Sequence, residues 1–263
     1  MASTTAKPKI TLYWLNESRA QRIVWLLEEL GLDYDVVLFY RDKNTMFAPP
    51  ELEKVHPLGK APAVGIKFPD REKEMVLVES GFIAQYLTDH FGQSTNLVPR
   101  RYRPDQEGKP GGETEEWMRC QHLIHYAEGS LQPPLLVALI LSIMKGPKIP
   151  VVIRPIISFV VGKTNEAFVR PNMKKHLSFL EEQLASAPGG GPYLCGAHLT
   201  VADILLSYPL GTMSGELRRL EAGRDALAPY PKLKAYAERL QKEEGYLRAR
   251  EKIKELESRG KTG

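Results

Sequence analysis

Between Lys9 and Phe91 the apolar positions switch repeatedly between a period of two and a period of 3.6. Residues 9–14 (KITLYW) are a short β-type run free of turn residues. Asn16, Glu17 and Ser18 then supply helix-start chemistry, and Ser18-x-x-Gln21 has the spacing of a capping box. Ile23, Leu26, Leu27 and Leu30 recur at helical spacing until Gly31 stops the helix. Residues 34–40 (YDVVLFY) read as a second strand, and a strand–helix–strand order with a long crossover predicts a parallel pair. Residues 49–55 predict a short helix, and HPLGKAPAV (56–64) a turn that enters a strand. Residues 75–78 (MVLV) form the next strand, an antiparallel partner across the polar turn 67–74. Glu79, Ser80 and Gly81 open a helix through Phe82, Ile83, Tyr86 and Leu87. The order is βαβ followed by ββα, a compact α/β unit over residues 9–91.

The pattern then changes. Residues 92–113 are polar and rich in Pro and Gly, as in a linker or exposed loop. Beyond them nearly every segment has helical period: 114–130, 135–145, 151–184, 200–214 and 231–256, the last amphipathic and highly charged. The fold class is therefore α/β plus all-α. Residues 1–91 make the first domain, 92–113 the connection, and 114–263 a helical bundle.

Composition refines this outline. Of 263 residues, 43% are apolar and 26% charged, an ordinary globular balance. The net charge of +4 is spread along the chain, with no basic run of the kind that binds nucleic acid. Cys120 and Cys195 are far apart and in no C-x-x-C spacing, which fits a reducing compartment and no metal site. The N-terminus lacks the apolar core of a secretory leader. Residues 1–7 and 258–263 have no periodic pattern and read as loose. The most apolar stretch, 135–161, is interrupted by Lys145, Gly146, Pro147, Lys148, Pro150, Arg154 and Pro155. Each piece falls short of the roughly 20 residues of a spanning helix. A buried helix or an apolar ligand wall is the first expectation, and peripheral membrane contact the second.

Three stations carry candidate chemistry. A strand running into Glu79-Ser80 at a helix start presents backbone N–H groups and a positive dipole end to a carboxylate, with Glu79 suited to an ammonium group. Ser80 reads equally well as a plain cap. At Ala61-Pro62 a cis bond would turn the Ala61 N–H and C=O toward an extended peptide ligand; an ordinary strand-entry proline is the alternative. Ser18 opens the first helix, where a bound thiolate would meet a dipole end and a hydroxyl donor. Lowering a thiol pKa from about 8.5 by about two units requires roughly 2.7 kcal/mol. A helix terminus and one charge-assisted hydrogen bond are of that order. A simple cap is again the alternative reading.

Taken in order, these segments resemble glutathione transferases. WLNESRAQRIVWLLEELGLDY (14–34) is similar to their opening strand and helix, HPLGKAPAV to the turn before a cis-proline, and VESGFIAQYL (78–87) to the Glu-Ser turn that binds glutathione. YLCGAHLTVADILL (193–206) is similar to the capped helix of their second domain. RDKNTMFAPPELEKVHPLGK and the apolar 135–161 segment look most like the yeast and fungal branch.

The resemblance implies a thioredoxin-like N-terminal domain that binds glutathione and a helical domain that binds an electrophile. Glu79 and Ser80 would hold the γ-glutamyl end, and Ala61 before Pro62 would pair with the cysteinyl backbone. Lys60 would lie near the glycyl carboxylate, with His56 a second candidate there. Ser18, four residues before Arg22, is the expected activating residue; Tyr13, at the end of the first strand, is the alternative. Arg19 is expected to face solvent, and Thr200-x-x-Asp203 to serve folding. Trp117, His125 and Tyr126 lie on a helix that would face the cleft, with Trp117 and Tyr126 the candidates for the electrophile pocket between domains. The implied protein is a cytoplasmic homodimer, or one associated with the endoplasmic reticulum surface, that buries helices 80–90 and 114–130. It conjugates hydrophobic electrophiles to glutathione in detoxification or in tailoring a metabolite. A glutathione-dependent peroxidase on the same fold and a non-catalytic binding or regulatory protein are the rival readings.

Overall fold

The computed structural model describes residues 7–146, 150–220 and 225–259. The chain ends read as loose fall largely outside these, as do Pro147 and Lys148 of the apolar segment. Two compact units form: Met1–Thr95 with Lys242–Gly263, and Asn96–Gln241.

The first unit runs β1 (Lys9–Leu15), α1 (Ala20–Glu29), β2 (Tyr34–Phe39), α2 (Leu52–Val55), β3 (Ala63–Lys67), β4 (Met75–Val78) and α3 (Ser80–Phe91). The sheet order is β2-β1-β3-β4. β1 and β2 are parallel, with Ile10 opposite Tyr34. β1 and β3 are antiparallel, with Tyr13 opposite Ala63, and β3 and β4 are antiparallel, with Ala63 opposite Val78. The parallel β1–β2 pair and the β3–β4 hairpin are those the periods predict, and the domain is thioredoxin-like, as the resemblance implies.

α1 is buried over nearly its whole surface from Arg22 to Leu27. Ile23, Leu26 and Leu27 are fully enclosed, each worth roughly 1.5–3 kcal/mol. The last helix supplies one wall. α10 (Glu244–Arg259) packs on α1: the rings of Trp25 and Tyr246 meet edge-on at 5.1 Å, Arg248 lies 3.8 Å from the Glu28 carboxylate, and the Tyr40 hydroxyl donates to the Leu256 carbonyl at 2.8 Å. The segment 231–256, expected as one helix, is two: α9 (Pro231–Leu240) and α10. Leu233, Tyr236 and Leu240 are buried within the helical unit, whereas α10 lies on α1, so the chain breaks between the two faces.

The second unit contains α4 (Glu115–Tyr126), α5 (Gln132–Met144), α6 (Arg154–Thr164), α7 (Arg170–Ala185), α8 (Val201–Leu220) and α9. The loop 98–113 is tied by a bridge between Tyr102 and Glu113, and Thr114 caps α4 by accepting from the Trp117 N–H at 3.2 Å. The break expected between 130 and 135 is continuous helix carrying a π-turn, Ala127–Leu131, and the segment 151–184 carries a second, Asn165–Val169. Each turn comes just before a helix that begins with proline, Pro133 and Pro134 in α5 and Pro171 in α7. A proline has no N–H for the i−4 carbonyl, and a widened turn absorbs the register change. The resulting run Glu115–Met144 is, among the described residues, long and apolar enough to cross a membrane by length and composition. Leu123, Ile124, Leu131 and Leu135 on it are buried in the unit's core.

Asp203 pins the start of α8 as the sequence pattern suggests. Its carboxylate accepts from the Thr200 N–H at 2.7 Å and the Thr200 hydroxyl at 2.6 Å. The Tyr236 hydroxyl adds a bond at 2.6 Å and the Leu194 N–H one at 3.4 Å. Four donors converge on a side chain with no exposed surface. Removing the acceptor strands them, and each stranded buried donor costs about 1–3 kcal/mol. Asp203→Ala is therefore expected to destabilise the helical unit by about 3 kcal/mol or more, read as a lower urea midpoint by circular dichroism.

Candidate functional site

The chain folds into a cleft at the carboxyl end of β4 because the strand meets α3 through a sharp reversal. Glu79 takes φ 66° and ψ 113°, a conformation rare for a residue with a side chain. Its carbonyl accepts the Ile83 N–H at 2.8 Å, and Ser80 begins α3. The Ala61–Pro62 peptide is cis. A cleft of about 70 Å³ is lined by Arg19, Leu58, Lys60, Ala61, Pro62, Val78, Glu79 and Ser80.

Five of the residues expected at a glutathione site, Lys60, Ala61, Pro62, Glu79 and Ser80, are thus brought together. Lys60 and Glu79 are exposed at the rim, and Ser80 is buried at the base. His56 does not line the cleft; its Nδ1 accepts the Leu58 N–H at 3.3 Å and shapes the turn before Lys60.

The two candidate hydroxyls differ. Ser18 lies just before α1 and is buried. Its Oγ donates to the Leu15 carbonyl at 2.7 Å and accepts from the Ala20 N–H at 3.1 Å. The capping box expected with Gln21 is not made: α1 starts at Ala20 with Arg19 as its cap residue. Glu17 has a positive φ of 48°, and that turn brings the Ser18 hydroxyl back to Leu15 rather than forward to the third residue. Tyr13 points elsewhere, its hydroxyl donating to Glu74 at 2.7 Å. Burial, reinforced by the Glu74 carboxylate, pushes its pKa up to about 12.

Two residues matter more than the sequence reading suggested. Arg19 lines the cleft rather than facing solvent. Arg22 is almost fully buried and donates through Nη2 to Ser80 Oγ at 3.0 Å. The signal for Arg22 was there: a lone cation inside the apolar run AQRIVWLL. With Arg22 supplying a donor, the Ser80 hydroxyl proton is free to point into the cleft. Arg19, Arg22 and Lys60 against the single carboxylate of Glu79 make it a place for an anion that also carries an ammonium group.

In the helical unit, Trp117 is half-buried beneath the Arg101 guanidinium, 4.7 Å from the ring centre. Tyr126 is buried, its hydroxyl 2.8 Å from His176 Nδ1, and burial raises its pKa. His125 faces solvent. Cys120 and Cys195 are buried free thiols, and Cys195 is held protonated by its hydrogen bond with Cys120 and by burial. No group of three or more His, Cys, Asp or Glu placed to hold a metal occurs among the described residues.

Comparison with known proteins agrees with this fold. Residues 8–89 match the sequence profile of the glutathione S-transferase N-terminal domain, and residues 152–252 that of the glutathione S-transferase C-terminal domain. Over 251 residues the chain is 35% identical to glutathione S-transferase 1 of Saccharomyces cerevisiae, which covers 95% of this chain and 98% of the yeast protein. The chain belongs to the glutathione S-transferase family. A solved glutathione S-transferase from Actinobacillus pleuropneumoniae is 28% identical, with a TM-score of 0.61 over 92% of each chain. A homologue from Lodderomyces elongisporus, solved with two glutathione molecules per subunit, shares the fold at 22% identity and a TM-score of 0.66, covering 92% of this chain and 97% of its own.

The Tyr13 environment of this family member gives a pH test. A phenol whose folded pKa lies above its unfolded value of 10.0 adds stability that is complete below that pH and is lost as pH rises through about 12. Difference titration against Tyr13→Phe should show this late-titrating tyrosine. Glu74→Gln should bring its pKa only part of the way down, because burial is the larger cause.

Proposed function

We propose that the protein is an enzyme that joins the thiolate of glutathione to hydrophobic electrophiles, forming a thioether. The supporting observation is the convergence of Lys60, Ala61, cis-Pro62, Glu79 and Ser80 on one cleft. Glutathione carries a carboxylate at each end and an ammonium at one, which matches the charges there. In this reading Ser80 and the N-terminus of α3 receive the γ-glutamyl carboxylate. Glu79 receives the ammonium, the Ala61 backbone the cysteinyl unit, and Lys60 the glycyl carboxylate.

Ser18 is the activating hydroxyl in this proposal, at the start of α1 beside Arg19. Rotation of its Oγ away from the Leu15 carbonyl would bring the proton to a thiolate. Tyr13 is the poorer choice, since the carboxylate that holds its hydroxyl would repel a second anion. The cation of Arg19 and the α1 terminus lower the cost of ionising the thiol. Thioether formation is favoured over disulfide exchange because both cysteines are buried. The electrophile itself is set by apolar contacts, of which Trp117 is one candidate. A cytoplasmic homodimer covering α3 and α4 would bury Phe82 and Met118, now 53% and 54% exposed.

Steady-state conjugation assays on an electrophile panel test this. Ser80→Ala is expected to raise the KM for glutathione about tenfold or more, the worth of a hydrogen bond to a charged group, with a smaller change in kcat. Ser18→Ala should lower kcat/KM at neutral pH by about tenfold or more and move its acid limb to higher pH, while Ser18→Thr restores activity. Tyr13→Phe should do neither. Loss of turnover in Tyr13→Phe alone would reassign the activating residue.

A further inference from the structure

Seventeen large apolar side chains among the described residues are exposed, and ten of them lie between Leu136 and Phe168. The concentration is greatest on α6 and the turn before it. Val152, Ile156 and Phe159 are 87%, 67% and 66% exposed. With Val160 and Lys163 they recur at i, i+4, i+7, i+8 and i+11, a single stripe along the helix. The opposite side already has its partner: Val161 is fully buried where α6 packs against α5. The segment expected to be an enclosed helix or ligand wall therefore carries a second apolar face directed outward.

Charge narrows what covers it. From Gly129 to Asn165 there is no Asp or Glu, while Lys145, Lys148, Arg154 and Lys163 are present. These four cations account for the whole net charge of +4, so the remainder of the chain is balanced. Lys163 stands at the end of the stripe, its Nζ 5.9 Å from the Phe159 ring centre and 4.0 Å from the carboxylate of Glu166 just beyond the acid-free stretch. A symmetric contact between two copies would set this basic margin against itself. An anionic bilayer takes up the apolar stripe and neutralises the margin together.

We infer that α6 and the preceding turn Val151–Ile153 form a peripheral docking face for anionic phospholipid membranes. The helix lies in the interface, with Val152, Ile156 and Phe159 entering the acyl boundary and the cations meeting headgroups. The cytoplasmic leaflet offers that surface charge. On the reading given under the proposed function, docking concentrates the enzyme where apolar electrophiles dissolve.

Cosedimentation of the full-length protein with vesicles tests the inference without reference to catalysis. Vesicles of phosphatidylcholine alone are compared with vesicles that also contain phosphatidylserine, and sedimentation velocity is run without lipid. The native chain should partition at least tenfold more strongly onto the anionic vesicles and be released by added salt. The double substitution Ile156→Glu with Phe159→Glu should abolish partitioning while the far-ultraviolet circular dichroism is kept. Lys163→Gln should weaken it about fivefold. Should the double variant misfold, Val152→Glu, at a side chain almost wholly in solvent, makes the same test and should weaken partitioning at least tenfold. Absent binding to anionic vesicles, equal binding to both compositions, or binding undiminished in the glutamate variants would overturn the proposal. Dissociation of a dimer by the double variant, with no vesicle binding by the native chain, would assign the face to self-association instead.

Discussion

Arg22 donates to the Ser80 hydroxyl at 3.0 Å with both side chains sealed from solvent. A guanidinium keeps its charge at any pH at which proteins fold. Its burial is costly unless acceptors are fixed around it, so the start of α3 must sit at one distance from α1. That constraint fixes the Ser80 oxygen at the cleft lining and places the charge behind it. The same arrangement favours a carboxylate in front, because a buried cation acts through a low dielectric. The anion site and the packing of α1 on α3 are thus one feature.

The reversal at Glu79 follows from this placement. The chain must leave β4, which is paired with β3, and begin α3 at once beneath Arg22. The positive φ of Glu79 achieves the turn at a cost of order 1–3 kcal/mol. It leaves the Glu79 side chain at the cleft rim, where an ammonium group would meet it. Local strain and the one carboxylate lining the cleft then share one residue, and the burial of Ile83 and Leu87 holds the helix that enforces it.

Much of this was legible in the sequence, for identifiable reasons. The βαβ-ββα order declared itself because the sheet and α1 carry uninterrupted apolar periods bounded by Gly31 and the 67–74 turn. The cleft residues were legible as an ordered set of turn chemistries. Ser18 was less so: a hydroxyl before a helix can reach forward to a cap or back to Leu15, and the backbone angle of Glu17 decides, which no spacing reveals. His56 has the right residue type in the right turn, yet its ring nitrogen is used by the Leu58 N–H. The π-turn before Pro133 carries the helix through the break expected between 130 and 135. Periodicity identified 135–161 as apolar but not which face finds a partner, since Val161 and Phe159 look alike until α5 is packed.

The placement of α10 completes the account of the site. Helix propensity alone makes Glu244–Arg259 an ordinary charged helix, but Trp25, Tyr246, Glu28 and Arg248 fasten it to α1. Gly245 leaves room there for the Glu29 side chain, whose carboxylate accepts from Trp25 Nε1 at 2.9 Å. α1 is therefore held on one side by α3 through Arg22 and on another by the chain's last helix. Its N-terminus carries Ser18 and Arg19. The geometry of that helix start thus depends on residues more than 200 positions away in sequence, and close packing without gaps transmits that dependence.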